Sequence, residues 1–221
     1  MQERFSVSLP EAMLLAAIDE FSGTMRGEAE LRYGLAGAMM IELGLHGRLT
    51  TDGRNLTVTD RARTGDALLD EALRIMRQAG STRPPRTWLL RITRALYDLQ
   101  ERYLARLAQA GVLHVVETGA LGLFTERRYA LLAPGQLYAV RERLRQIALA
   151  DAPAAPREVA LFRLLEACDL IDTQFARSEA RAARRWLLGQ RRAERFSRPI
   201  AAEVASLRRD SANFAYIVGI G

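Results

Sequence analysis

Apolar residues recur at helical spacing along most of the chain, and the polar, glycine- and proline-containing breaks between them mark out the elements. Ser8 opens the first segment as a capping residue, with Pro10 in the first turn, Glu11 behind it, and Leu14, Leu15 and Ile18 as the apolar stripe. Residues 21–28, with Gly23 and Gly27, read as a loop. Residues 31–45 are dense in Ala, Met, Ile and Leu and predict a largely buried helix, in which Gly34 and Gly37 allow close packing of a neighbour. Asp52-Gly53 between two short Thr/Leu/Val runs is a hairpin signal. Gly65-Asp66 opens a helix through Arg77, residues 80–85 form a short linker, and residues 87–110 predict one long amphipathic helix stopped by Gly111. Residues 112–116 and 121–130 suit a second hairpin with its tip at Gly119 and Gly122. Helices are expected over 135–148, 157–169, 178–189 and 199–217, with 150–156 as a connector. The fold class is therefore mainly α, a single compact helical domain over residues 1–221 with two small β-hairpins.

Composition narrows the function classes. Hydrophobic residues make up 49% and charged residues 26% of the 221, as in a soluble globular protein with a full core. The net charge of +6 favours anionic partners: nucleic acid, acidic proteins or anionic lipid. No lysine occurs, so all 32 basic residues are arginine, whose planar forks suit phosphate oxygens. Cys168 stands alone, which excludes a disulfide within the chain and fits a reducing compartment. The first ten residues lack a signal pattern, and no apolar run approaches the ~18 residues of a spanning helix. A membrane role is expected to be peripheral, on the cytoplasmic face.

Catalytic chemistry finds little support. His46 and His114 are the only histidines and have no second ligand at metal spacing. There is no phosphate loop and no nucleophile elbow, and the carboxylates Asp70, Glu71 and Glu101 sit among arginines as solvated helix faces. The expectation is a binding protein, not an enzyme, with no cofactor or metal. Arginine clusters at Arg91/Arg94, Arg102/Arg106, Arg181/Arg184 and Arg191–Arg195 are either solvated faces or anion contacts. A helix running into a basic hairpin that ends Arg127-Arg128 also has the look of a winged helix, so nucleic-acid binding stands as the alternative. One long helix, without a tightly joined partner before it, argues against that alternative. Leu121, Leu123 and Phe124 put apolar side chains at a hairpin tip. They belong either to the core or to an exposed finger suited to a headgroup layer.

Three segments carry a family resemblance: Gly34-Leu35-Ala36-Gly37-Ala38-Met39-Met40-Ile41-Glu42-Leu43 with its continuation Gly44-Leu45-His46-Gly47-Arg48-Leu49; Thr64-Gly65-Asp66-Ala67-Leu68-Leu69-Asp70-Glu71-Ala72-Leu73; and Glu101-Arg102 through Leu107 to Gly111-Val112-Leu113. In order and spacing they resemble the Golgi phosphoprotein 3 family, and the chain looks like a bacterial-type member. The likeness is clear over residues 5–132 and weaker beyond. It implies a mainly helical domain that binds phosphatidylinositol 4-phosphate through a basic pocket, and a hydrophobic hairpin that touches the bilayer. In some members that hairpin also touches neighbouring chains.

The same resemblance places the family's pocket tryptophan at Gly27 and its three arginines at Ala36, Tyr97 and Gln100, so none of the four is kept. Each missing arginine removes charge-assisted hydrogen bonds worth ~1.5–3 kcal/mol. Arg32 lies one turn before Ala36, Arg94 one turn before Tyr97, and Arg26 beside Gly27. The candidate lipid site is therefore Arg26, Arg32, Arg94 and Tyr97, and the candidate membrane-touching hairpin is Leu121, Leu123 and Phe124. The expected partner is an anionic membrane lipid, a phosphoinositide among them, with self-association through residues 119–124 as a further prospect and nucleic acid not expected.

Overall fold

The computed structural model describes residues 7–80, 82–120, 124–190 and 195–218. Helix α1 (Leu9–Ala17) starts where Glu11 folds back and accepts the Ser8 backbone N–H at 2.8 Å and its hydroxyl at 2.6 Å. All of α1 except Glu11 is buried. The expected apolar stripe is thus an apolar cylinder, and Ile18 lies past the helix end, bridged to Met25. Helix α2 (Glu28–Leu45) packs on α1, and its glycines bring other helices close. A Cβ on Gly34 would lie 2.6 Å from both Cys168 Sγ and Met13 Cε, and one on Gly37 2.9 Å from Val204 Cγ2.

Strands β1 (Leu49–Thr51) and β2 (Leu56–Val58) form the first hairpin, closed by the Asp52 carboxylate accepting the Arg54 and Asn55 backbone N–H groups. A third strand, β3 (Thr82–Arg83), pairs with β2 inside the segment read as a linker. Between them, Asp66 caps α3 (Ala67–Gln78) by accepting from the Leu68 and Leu69 N–H groups. The expected long helix is two, α4 (Pro85–Ala95) and α5 (Leu99–Gln109), broken at Leu96 (φ −113°, ψ 59°). The break turns the chain so that α4 lies on α2, α3 and α10 while α5 lies on α1 and α2. Strands β4 (Leu113–Ala120) and β5 (Phe124–Leu131) pair from Leu113↔Leu131 to Ala120↔Phe124. Leu121 and Leu123 lie outside the described residues, as does the side chain of Phe124.

Helices α6 (Gly135–Leu149), α7 (Pro156–Ala167), α8 (Ile171–Gln174), α9 (Arg177–Gly189) and α10 (Ser197–Val218) complete the order, α8 being the one not foreseen. One apolar cluster runs through α1, α2, α7 and α10 and takes in residues on both sides of 80–85, from Met76 to Trp88. Charges inside it are paired. Arg143 makes a double contact with Glu158 at 2.6 and 3.0 Å, and Glu42 accepts from Arg157 and from the Leu9 N–H.

Candidate anion-binding surface

Residues 72–97 hold six arginines and no carboxylate, in a chain with 26 acidic residues. This stretch covers the end of α3, β3 and all of α4. On α4 the inner face is Pro85, Trp88, Leu89 and Ile92, with the Trp88 indole donating to the Leu56 carbonyl at 3.3 Å. The outer face presents Thr87, Leu90, Arg91, Arg94 and Ala95, which with Ile75 of α3 line an open groove. Spacings of three and four put these residues on one side.

Pairing divides the arginines into two kinds. Arg86 reaches Asp210 at 2.8 Å and Glu203 at 3.6 Å on α10. Arg102 holds Glu71 at 2.7 Å, and Arg106 holds Glu11 at 2.8 Å and Asp66 at 2.6 Å. Arg91 and Arg94 are exposed and have no carboxylate partner among the described residues. Immediately past them the break at Leu96 sends Leu96 and Leu99 into the core and Tyr97 outward, 88% exposed.

A second loop meets this turn. Gln100 Nε2 donates to Met25 Sδ at 3.3 Å, joining α5 to the segment before α2. That segment is a tight turn in which the Asp19 carboxylate accepts the Phe21 and Ser22 N–H groups at 3.1 and 2.9 Å. The Ser22 backbone N–H and hydroxyl, more than any other group, hold the Asp19 carboxyl below its ordinary range. Tyr129 N–H donates to Gly23 O at 2.8 Å and Arg128 to Ser22 O at 3.1 Å, which fastens the turn to β5. Phe21, at its apex, is 93% exposed.

The four candidate lipid-site residues are spread over these parts. Arg26 is exposed and lies 3.6 Å from Asp19. Arg32 sits with its guanidinium 4.7 Å over the Tyr33 ring and donates to the Tyr33 hydroxyl at 3.1 Å, beside Ser211 of α10. Arg94 lies in the last turn of α4 and Tyr97 two residues past its end. No contact joins Arg32 to Arg94 among the described residues. Of the positions matched to the family's pocket, Gln100 comes within a contact of Met25, two residues from Gly27, while Ala36 is wholly buried in α2. The residues not foreseen are Arg91 as a free cation and Phe21 as an exposed apolar group. The absence of acids over 72–97 was the signal for the first; nothing local marks the second.

The broken helix removes the reason first given against a winged helix, because α4, a short turn, α5 and the β4–β5 hairpin do follow in that order. The exposures argue against it instead. The helix that would enter a groove, α5, exposes Glu101, Ala105 and Gln109, and turns Arg102 and Arg106 into ion pairs. Glu101 itself holds Arg127 of the would-be wing at 2.6 Å. The outward edge of α5 therefore offers a phosphate backbone no unpaired cation.

No helix among the described residues is long and apolar enough to cross a membrane. The family model described as Golgi phosphoprotein 3 (GPP34) matches residues 9–208, and the chain belongs to that family.

Proposed function

We propose, from membership of the Golgi phosphoprotein 3 family, that this protein binds the surface of anionic membranes peripherally, as a recognition module and not as an enzyme. The observation that carries this reading is the outer face of α4. There Arg91 and Arg94 stand exposed with no carboxylate partner among the described residues, next to exposed Tyr97, in a stretch of 26 residues without an acid. Guanidinium groups that hold no carboxylate among the described residues keep their full attraction for phosphate oxygens. Tyr97 adds an aromatic wall and a hydroxyl donor, and Arg26 a further cation on the adjoining loop. Arg32 contributes from the Tyr33 side, as a separate charge. The headgroup chemistry is a lipid phosphate, of a phosphoinositide or of another anionic lipid, bound by a site that differs from the family's at all four matched positions.

The test is sedimentation with vesicles. Binding is expected with anionic lipid, absent with neutral lipid, and weakened steeply by salt, since exposed charges are screened over ~8–10 Å at physiological ionic strength. Equal binding to neutral vesicles rejects the electrostatic mechanism. Tight binding to short duplex DNA in place of vesicles establishes the nucleic-acid alternative.

A further inference from the structure

Phe21 is the least explained side chain on the surface. It is 93% exposed, so it contributes almost nothing to the core, yet the backbone beneath it is heavily fixed. Ile18 and Met25 close the turn as a bridge, the Asp19 N–H donates to Thr24 O at 2.9 Å, and Gly23 N–H donates to Asp19 O at 2.8 Å. Gly23 takes φ +68°, where a side chain is strained, and a Cβ there would stand 3.3 Å from the Tyr129 backbone. The turn is thereby clamped on β5 and holds one aromatic out into solvent.

The carboxylates beside it are held by arginines. Glu20 is neutralised by Arg141 at 2.9 Å, and Asp19 lies 3.6 Å from Arg26. Arg128 closes the ring from β5 through the Ser22 carbonyl. A protein interface needs ~800 Å² on each partner, with a packed apolar centre. One aromatic ringed by polar groups does not supply that, whereas a lone aromatic among guanidinium groups suits the boundary between headgroups and acyl chains.

We propose that Phe21 is a membrane-inserting side chain, a second apolar contact distinct from residues 121–123, carried on a turn that the β4–β5 hairpin holds in place. The proposal rests on the membrane reading above. Because the turn is already rigid, insertion orders little more than one ring, so most of the apolar transfer appears as binding.

The probe is vesicles of mixed phosphatidylcholine and phosphatidylglycerol, with pure phosphatidylcholine as control. Trp88 is wholly buried and Trp186 partly so, which gives the wild type a steady fluorescence background. In Phe21→Trp, anionic vesicles should shift the added emission to the blue, and brominated acyl chains should quench it. Phe21→Ser should lower vesicle partition roughly ten-fold, the lower end of what burying a phenylalanine contributes, with Tm unchanged. If wild type does not sediment with anionic vesicles, the membrane reading itself fails. If wild type sediments while Phe21→Trp shows neither shift nor quenching, or Phe21→Ser binds as tightly, this proposal alone is overturned. A fall in Tm for Phe21→Ser, or a concentration-dependent blue shift without vesicles, also overturns it, by placing the ring in the fold or in a contact between copies.

Discussion

Replacing Arg91 and Arg94 together by alanine separates a defined anion site from diffuse surface charge. Neither guanidinium has a carboxylate partner among the described residues, so their removal breaks no ion pair and should leave Tm within a degree or two of wild type. Each cation close to an anionic leaflet contributes ~1 kcal/mol, so the field alone predicts a loss of about five-fold per arginine and about thirty-fold for the pair. Direct forks to phosphate, at ~1.5–3 kcal/mol each, raise the loss for the pair above a hundred-fold. Arg184→Ala is the control for loss of a cation elsewhere on the surface. It changes the net charge by one, but Arg184 already holds Asp172 at 3.0 and 2.9 Å and Glu166 at 3.1 Å. Its loss should cost stability and only a few-fold in partition. The assay is sedimentation with vesicles of fixed anionic content at two salt concentrations, with Arg91→Lys/Arg94→Lys alongside. The lysine variant keeps the field and loses the fork, so binding between wild type and the alanine variant indicates direct phosphate contact. If Arg184→Ala weakens binding as much as the α4 double variant does, the α4 site is refuted and the attraction belongs to the whole surface.

Other consequences concern the fold that holds this surface. Glu158→Leu should cost ~3–5 kcal/mol in urea denaturation, because it strands Arg143, which is 5% exposed; adding Arg143→Met should restore most of that loss. Gly37→Ala should destabilise by ~1–3 kcal/mol despite a helix-propensity gain of about 1 kcal/mol, since the new methyl meets Val204, Leu164 and Ile200 at 2.9–3.3 Å; an unchanged urea midpoint would refute the close packing. The Asp70 carboxyl is held below its ordinary range, first by the Thr64 backbone N–H and then by the Thr64 hydroxyl. Its folded pKa is depressed, so its contribution is present above the unfolded value of ~3.9 and is lost as pH falls through the lower folded value. Asp70→Asn should therefore flatten the stability curve below about pH 4 and lower its plateau above.

What the chain determined locally is what local chemistry can decide. Ser8 and Glu11 start α1, Asp66 starts α3, and Asp52-Gly53 turns the first hairpin; each effect acts within a few residues or one turn. The motifs in α2, α3 and α5 were enough to reveal the family. The α4–α5 break was not legible, because Leu89, Ile92, Leu96, Leu99 and Tyr103 keep spacings of three and four straight through it. The direction changes only because α4 and α5 pack on different partners. Strand β3 is two residues long and exists because β2 offers it an edge. Of the proposed surface, the sequence singled out Arg94 and Tyr97 as candidates, left Arg91 unassigned and read Phe21 as ordinary loop. Arg86 and Arg94 are alike in sequence, yet Asp210, 124 residues away, engages the first and nothing described engages the second. A guanidinium is free or occupied according to which carboxylate the fold brings within about 4 Å, and an aromatic is core or surface according to what packs over it. Both depend on contacts between distant segments, which only the tertiary structure creates.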